Sequence, residues 1–201
     1  MSLGLGLTAK KIINKAQVLL QERGYQFLSF QDLADSVGIR KASVHHHFKT
    51  KEDLARVMVL DYRKRLEAWI AALDSQSLDP RAKLRAYFEM FAEISRSGKS
   101  VCPGGSLLLD WNNFSKPVRI ELQGLIDCHR SWLVTLLEES IKARELKISK
   151  DKVAAHALFI GASIQGGLQL ARASDNPEKV LKSIFRQIEA ATFTELKNEK
   201  K

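Results

Sequence analysis

Apolar residues recur at helical spacing along almost the whole of this 201-residue chain, as in Ile12, Ile13, Ala16, Leu19 and Leu20, and again in Leu54, Val57, Met58, Tyr62, Leu66, Trp69, Ile70 and Leu73. No strand-like alternation competes with that period. The four prolines stand where helices should start or stop, in Asp79-Pro80, Cys102-Pro103, Lys116-Pro117 and Asn176-Pro177. Three of them have a Ser, Asp or Asn nearby to serve as N-cap. The chain is therefore expected to be all-α, with about nine helices at roughly 8–24, 30–37, 41–47, 51–74, 80–97, 104–113, 117–145, 151–173 and 177–196, each boundary uncertain by about 2–4 residues.

The short helices are the informative ones. Helices of under ten residues are marginal alone, so Ser29 to Phe48 must be a unit held by packing. Ser29 can cap a helix that turns Leu33, Ala34 and Val37 inward, Gly38 permits a tight turn, Ile39 plugs it, and the next helix sets Val44 and Phe48 one turn apart on one face. This is a helix-turn-helix, whose second helix is the one offered to a DNA major groove.

That second helix carries three consecutive histidines, His45, His46 and His47. Successive helix residues diverge by about 100°, so these three cannot share a metal, which needs spacings such as i, i+4. Nor does the helix offer a nucleophile or carboxylate that would make them catalytic. With Val44 and Phe48 inward, Ala42, Ser43 and His46 face away from the core, flanked by His45 and His47. That face suits DNA, because imidazole and hydroxyl groups hydrogen-bond phosphates or base edges and alanine permits close approach. Thr50-Lys51-Glu52-Asp53 then opens a long helix with a capping box, flanked by Lys49 and Lys51, and such a terminus attracts phosphate. Arg40 and Lys41 stand at the start of the recognition helix. The alternative for all of these side chains is an ordinary solvated surface.

Charge agrees with an anionic partner. Thirty-two Lys and Arg against 23 Asp and Glu give a formal charge of +9. Two cysteines, Cys102 and Cys128, are too few for a disulfide framework and fit a reducing compartment, so a cytoplasmic location is expected. The longest apolar stretch, Val153 to Ala171, is broken by His156, Ser163, Gln165 and Gln169, and is expected to be a buried helix rather than a membrane span.

The run from Phe30 to Leu54, with its aliphatic-Ala pair, Val37-Gly38, ring-rich recognition helix and Lys51-Glu52-Asp53-Leu54, resembles the N-terminal domain of the TetR family of bacterial transcriptional repressors. The resemblance covers about residues 8–54. It implies a DNA-reading domain over residues 1–50, an effector-binding and dimerisation domain over 51–201, a double-stranded operator as partner, and no cofactor, metal or catalysis. It also implies backbone anchors at Ser29, at Lys51 and near Thr8. His45 stands where the family usually has a phosphate-touching tyrosine, so its contact would depend on pH.

Outside that segment no motif is shared. Aromatics cluster at Tyr87, Phe88, Phe91, Trp111, Phe114, Trp132 and Phe159, for which a structural core is the default reading. The family likeness implies a small-effector pocket, for which Phe88, Phe91, Cys102, Trp111, Phe114 and Trp132 are the candidates. Cys102 sits beside a glycine-rich turn and near Lys99, as electrophile-sensing family members place a cysteine; the alternative is a small buried hydrophobe. Geometry and resemblance together call for a homodimer, since two heads must occupy successive major grooves roughly 34–36 Å apart. The expected interface is Ala157, Ile160, Gly161, Ile164, Gly167 and Leu168 of one helix with Leu181, Ile184, Phe185 and Ile188 of the next. The competing classes are a thiol enzyme using Cys102, with His129 or His156 within reach of the sulfur, and a helical protein-interaction module.

Overall fold

A computed structural model of the chain describes residues 5–96, 101–146 and 148–193. Among them lie nine α-helices: α1 (Leu7–Arg23), α2 (Phe30–Val37), α3 (Lys41–His47), α4 (Lys51–Asp74), α5 (Pro80–Ser95), α6 (Pro103–Leu108), α7 (Lys116–Lys142), α8 (Val153–Arg172) and α9 (Pro177–Thr192). An isolated antiparallel bridge joins Leu146 to Phe193. The all-α expectation holds, and the caps explain most boundaries. The side chains of Ser29, Asp79 and Asn176 accept from the backbone N–H groups of Asp32, Ala82 and Lys179, each such cap contributing about 1 kcal/mol.

Four helices stop short of their expected ends by more than a single residue. The sixth, expected to reach residue 113, ends at Leu108, and a single 3₁₀ turn follows at Trp111–Asn113. Asp110 lies in this break, and its Oδ1 accepts from Gln26 Nε2 at 2.5 Å and from Asn113 Nδ2 at 3.4 Å. The seventh ends at Lys142 rather than 145, because Arg144 enters the left-handed region at φ 59 and Glu145 N–H reaches back to the Ser140 carbonyl. α5 and α9 end at Ser95 and Thr192, short of the expected 97 and 196, which themselves lie outside the described residues.

The chain forms two compact units, Met1–Ala71 with Lys99–Cys128, and Ala72–Gly98 with His129–Lys201. The unit that holds the helix-turn-helix therefore extends well beyond residue 50, taking in most of α4, α6 and the first half of α7. Its core includes Ile12, Ala16, Leu20, Leu33, Ala34, Val44, Leu54, Ala55 and Leu122, all fully buried.

In the second unit the expected dimer face proves to be internal. Ala157, Ile160, Ile164, Leu168, Leu181 and Ile188 are each at most 1% exposed, and Gly167 is buried with them, because α8 packs on α9 of the same chain. Gly167 faces this seam: a Cβ there would lie 2.9 Å from Ile184 Cδ1, a side-chain tip that would have to shift. Gly161, Ile184 and Phe185 are half-buried at the edge of this seam, and Phe185 stacks flat on Phe88 of α5 with ring centroids 4.6 Å apart. The small residues thus serve helix packing within one chain. The opposite side of α8 is apolar as well, with Leu158 and Leu170 both 66% exposed and Phe159 44% exposed. Residues 150–172 are consequently long and apolar enough, by length and composition, to cross a membrane, yet one side of the helix packs on α9 as a core helix does.

Candidate nucleic-acid interface

The geometry of the head follows from a few residues. Gly38, at φ 73 and ψ 39, takes the left-handed conformation that ends α2, letting Ile39 N–H return to the Ala34 carbonyl at 3.0 Å. That turn aims α3. Val44 is 0% and Phe48 3% exposed, so this short helix is pinned by two side chains. Arg40, Lys41, Ala42, His45, His46, His47 and Lys49 are all exposed, and Ser43 is half-exposed. The expected residues of α3 are thus open to solvent around the sides of the helix that Val44 and Phe48 do not bury. Among the described residues no group of three His, Cys, Asp or Glu could hold a metal ion.

Three members of the expected set have additional partners. His45 packs edge-on against Phe30, ring centroids 4.7 Å apart, which fixes its ring at the α2–α3 corner. Ser29 donates its hydroxyl to Asp32 Oδ2 at 2.7 Å while accepting from Asp32 N–H, so its first task is capping. Lys51 is half-buried: its Nζ donates to the Gln26 carbonyl at 3.1 Å and lies 4.3 Å from the Tyr25 ring centroid. Burial holds the Lys51 ammonium below the usual lysine range, with Asp110 pulling it partly back. Burial, with Glu52 and Asp110, pushes the Tyr25 phenol up to about 12.

These contacts belong to a tether that sequence reasoning missed. Tyr25 meets Phe114 edge-on at 4.7 Å, Gln26 donates to Asp110, and Ser115 N–H donates to Glu52 Oε1 at 3.3 Å. The start of α4 and the α1–α2 turn are thereby tied to the segment between α6 and α7. The pairs are 63 to 89 residues apart in sequence, and no local pattern announces them. Thr50 and Asp53 close the capping box beside this tether, with Asp53 N–H donating to Thr50 Oγ1 at 3.0 Å and Thr50 N–H to Asp53 Oδ2 at 2.9 Å.

The expected effector residues are divided between the units. Cys102, Trp111 and Phe114 lie in the first, and Phe88, Phe91 and Trp132 in the second. Cys102 is 2% exposed, and Phe114 packs on Tyr25. Trp132 Nε1 donates to Asp74 Oδ1 at 3.3 Å, and Asp74 also pairs with the nearly buried Lys83. The thiol-enzyme arrangement finds no support in these bonds. His129 Nδ1 is 2.8 Å from Tyr87 Oη, and His156 Nε2 is 2.9 Å from Thr192 Oγ1. A separate groove of about 290 Å³ lies between α5 and the start of α9, with Ala92, Leu181 and Phe185 among its lining and the Arg96–Glu89 and Lys182–Glu178 ion pairs beside it.

A bihelical head with a solvent-facing recognition helix, joined to a larger helical region, defines a helix-turn-helix DNA-binding regulator. Residues 12–58 match the family described as bacterial regulatory proteins, tetR family. The transcriptional repressor DhaR of a Mycobacterium species is 25% identical over 83% of this chain and 83% of its own. The transcriptional regulator LmrA of Bacillus subtilis is 25% identical over 88% of this chain and 92% of its own. Among solved structures, a TetR-family transcriptional regulator from Agrobacterium tumefaciens superposes with a TM-score of 0.86 and 28% identity over 93% of this chain and 98% of that one. A TetR regulator from Legionella pneumophila gives 0.84 and 24% over 94% and 100%. Residues 12–58 thus carry the DNA-binding domain of the TetR family, and the fold of the chain is that of TetR-family transcriptional regulators.

Proposed function

We propose that the protein is a cytoplasmic repressor that binds a palindromic operator as a homodimer and is released by a small effector held in its larger helical region. The observation that carries this reading is the exposed α3 surface. Ala42, Ser43 and His46 are directed away from buried Val44, where base edges can meet them, while Arg40, Lys41, His47 and Lys49 flank them within reach of phosphates. Repression is supported by the relative named a repressor.

Homodimerisation is supported by the outward side of α8. Leu158, Phe159 and Leu170 form an apolar stripe with Ala155, Ala162 and Gly166 between them, all solvent-facing in a single chain. A second copy related by a two-fold would bury the same stripe on both sides, which makes a closed dimer. This face replaces the one expected from sequence.

Effector control is supported by the tether. Any ligand that shifts the segment from Asp110 to Ser115 acts on the recognition head through Gln26, Tyr25 and Glu52, a coupling typically worth about 1–3 kcal/mol. Release by an electrophile through Cys102 would require α6 to open first, given its burial. That variant of the reading stands only if the electrophile frees DNA from wild type and not from Cys102→Ser. The test of the main reading is selection from random duplexes, followed by the salt dependence of the winning site. A palindromic motif with a steep salt slope is expected. Weak binding without an enriched motif would overturn the assignment.

A further inference from the structure

His129 is the one histidine enclosed by aromatic rings of its own unit, and its setting is set by helical spacing. Tyr87 and Phe91 are one turn apart on α5, and His129 and Trp132 are one turn apart on α7. The His129 ring centroid lies 5.8 Å from that of Tyr87 and 5.8 Å from that of Phe91, and Tyr87 lies 4.8 Å from Trp132. Tyr87 Oη occupies Nδ1 at 2.8 Å, whereas Nε2 is shut off from solvent and has no hydrogen-bond partner among the described residues. Burial lowers the imidazole pKa to about 4, so the ring is neutral at physiological pH. A buried polar atom left unpaired costs stability, and natural proteins keep few of them without a use.

We infer that His129 Nε2 is the polar anchor of a binding site in the second unit for a small, uncharged molecule with an aromatic or apolar body and one hydroxyl group. The inference rests on the effector reading above and gives its ligand a chemical class. Each part of that class follows from the surroundings. Three ring walls, Tyr87, Phe91 and Trp132, favour an aromatic or apolar body. A charge on the ligand meets the same desolvation that keeps the imidazole neutral, and the ionic groups of this region, Asp74, Lys83 and Glu139, already pair with one another. A hydroxyl both donates and accepts. It therefore satisfies Nε2 in either tautomer, whichever one Tyr87 selects at Nδ1, which a carbonyl cannot do. Tyr87 and Phe91 are each 1% exposed, so the rings must shift as the molecule enters, and binding selects that opened arrangement.

The probe is phenol, added to the full-length protein carrying ¹⁵N-labelled histidine, with toluene as the match lacking the hydroxyl and benzoate as the charged match. The His129 signals are assigned by their loss in His129→Phe. Phenol is expected to move the Nε2 resonance saturably and to bind at least tenfold more tightly than toluene. His129→Phe should abolish that preference, and Tyr87→Phe, which leaves Nε2 in place, should retain it. An unmoved Nε2 resonance, as an internal water already bonded there would give, overturns the site, as does equal affinity for toluene; tighter binding of benzoate overturns the uncharged class. Duplex binding is followed in parallel. Phenol that fills the site without loosening DNA contradicts the effector reading and leaves the site standing, whereas DNA release without a His129 response does the reverse.

Discussion

Helices α3 and α8 pose opposite problems of interpretation. In α3 apolar residues are a minority, Val44 with Phe48 just beyond the helix, so the buried side is unambiguous and everything else is offered outward. In α8 nearly every side is apolar. One side packs on α9 through Ala157, Ile160, Ile164 and Leu168, and the other leaves Leu158, Phe159 and Leu170 in solvent. A sparse apolar pattern names its own core. An all-round apolar pattern states only that two surfaces will be covered, not which one the chain covers itself.

The contrast can be broken most severely at Phe48. Phe48→Ala should cost about 3–5 kcal/mol in urea unfolding and abolish duplex binding, because its ring is the larger of the two side chains that pin the recognition helix. An effect under about 1 kcal/mol would mean that α3 is held some other way. The histidines offer the next test. His45, His46 and His47 are exposed, whereas burial holds the folded-state pKa of His129 at about 4, below its ordinary 6.5. The stability that neutral His129 contributes is complete above pH 6.5, is lost as pH falls from 6.5 towards 4, and declines no further below it. The loss should approach about 3 kcal/mol, and His129→Phe should flatten that part of the profile.

On α8 the two faces should separate cleanly. Phe159→Arg should raise the dimer dissociation constant by about 100-fold, or about 2.7 kcal/mol, in sedimentation, without changing helical content. Ile164→Ala on the inner side should instead lower unfolding stability by about 2–5 kcal/mol per chain and leave the outward face intact. The smallest effect is expected at Lys51. Lys51→Ala should remove about 1 kcal/mol of stability with its carbonyl bond and ring contact, and lower duplex affinity alike for every sequence.

How much was legible in advance divides along the same line. The recognition helix, its turn at Gly38 and the capping boxes are local patterns, and their boundaries fell where the residues said. The tether from Gln26 to Asp110 and from Glu52 to Ser115 was not legible, because its partners are distant in sequence. Ser29 was legible as the cap of α2, whereas spacing gave no sign that Lys51, singled out for phosphate contact, bonds the Gln26 carbonyl. Most of the residues expected at a dimer face are buried within one chain: the small residues of α8 signalled close helix approach without saying whose helix approaches.

The measurement that tests the central claim most directly is the base preference of α3 variants on the selected operator. Ser43→Ala and His46→Ala should each change the preferred base at one position per half-site, while Lys49→Ala should weaken all sequences alike and reduce the salt slope by about one. Uniform weakening by all three variants, with an unaltered motif, would contradict the assignment of α3 as the helix that reads sequence.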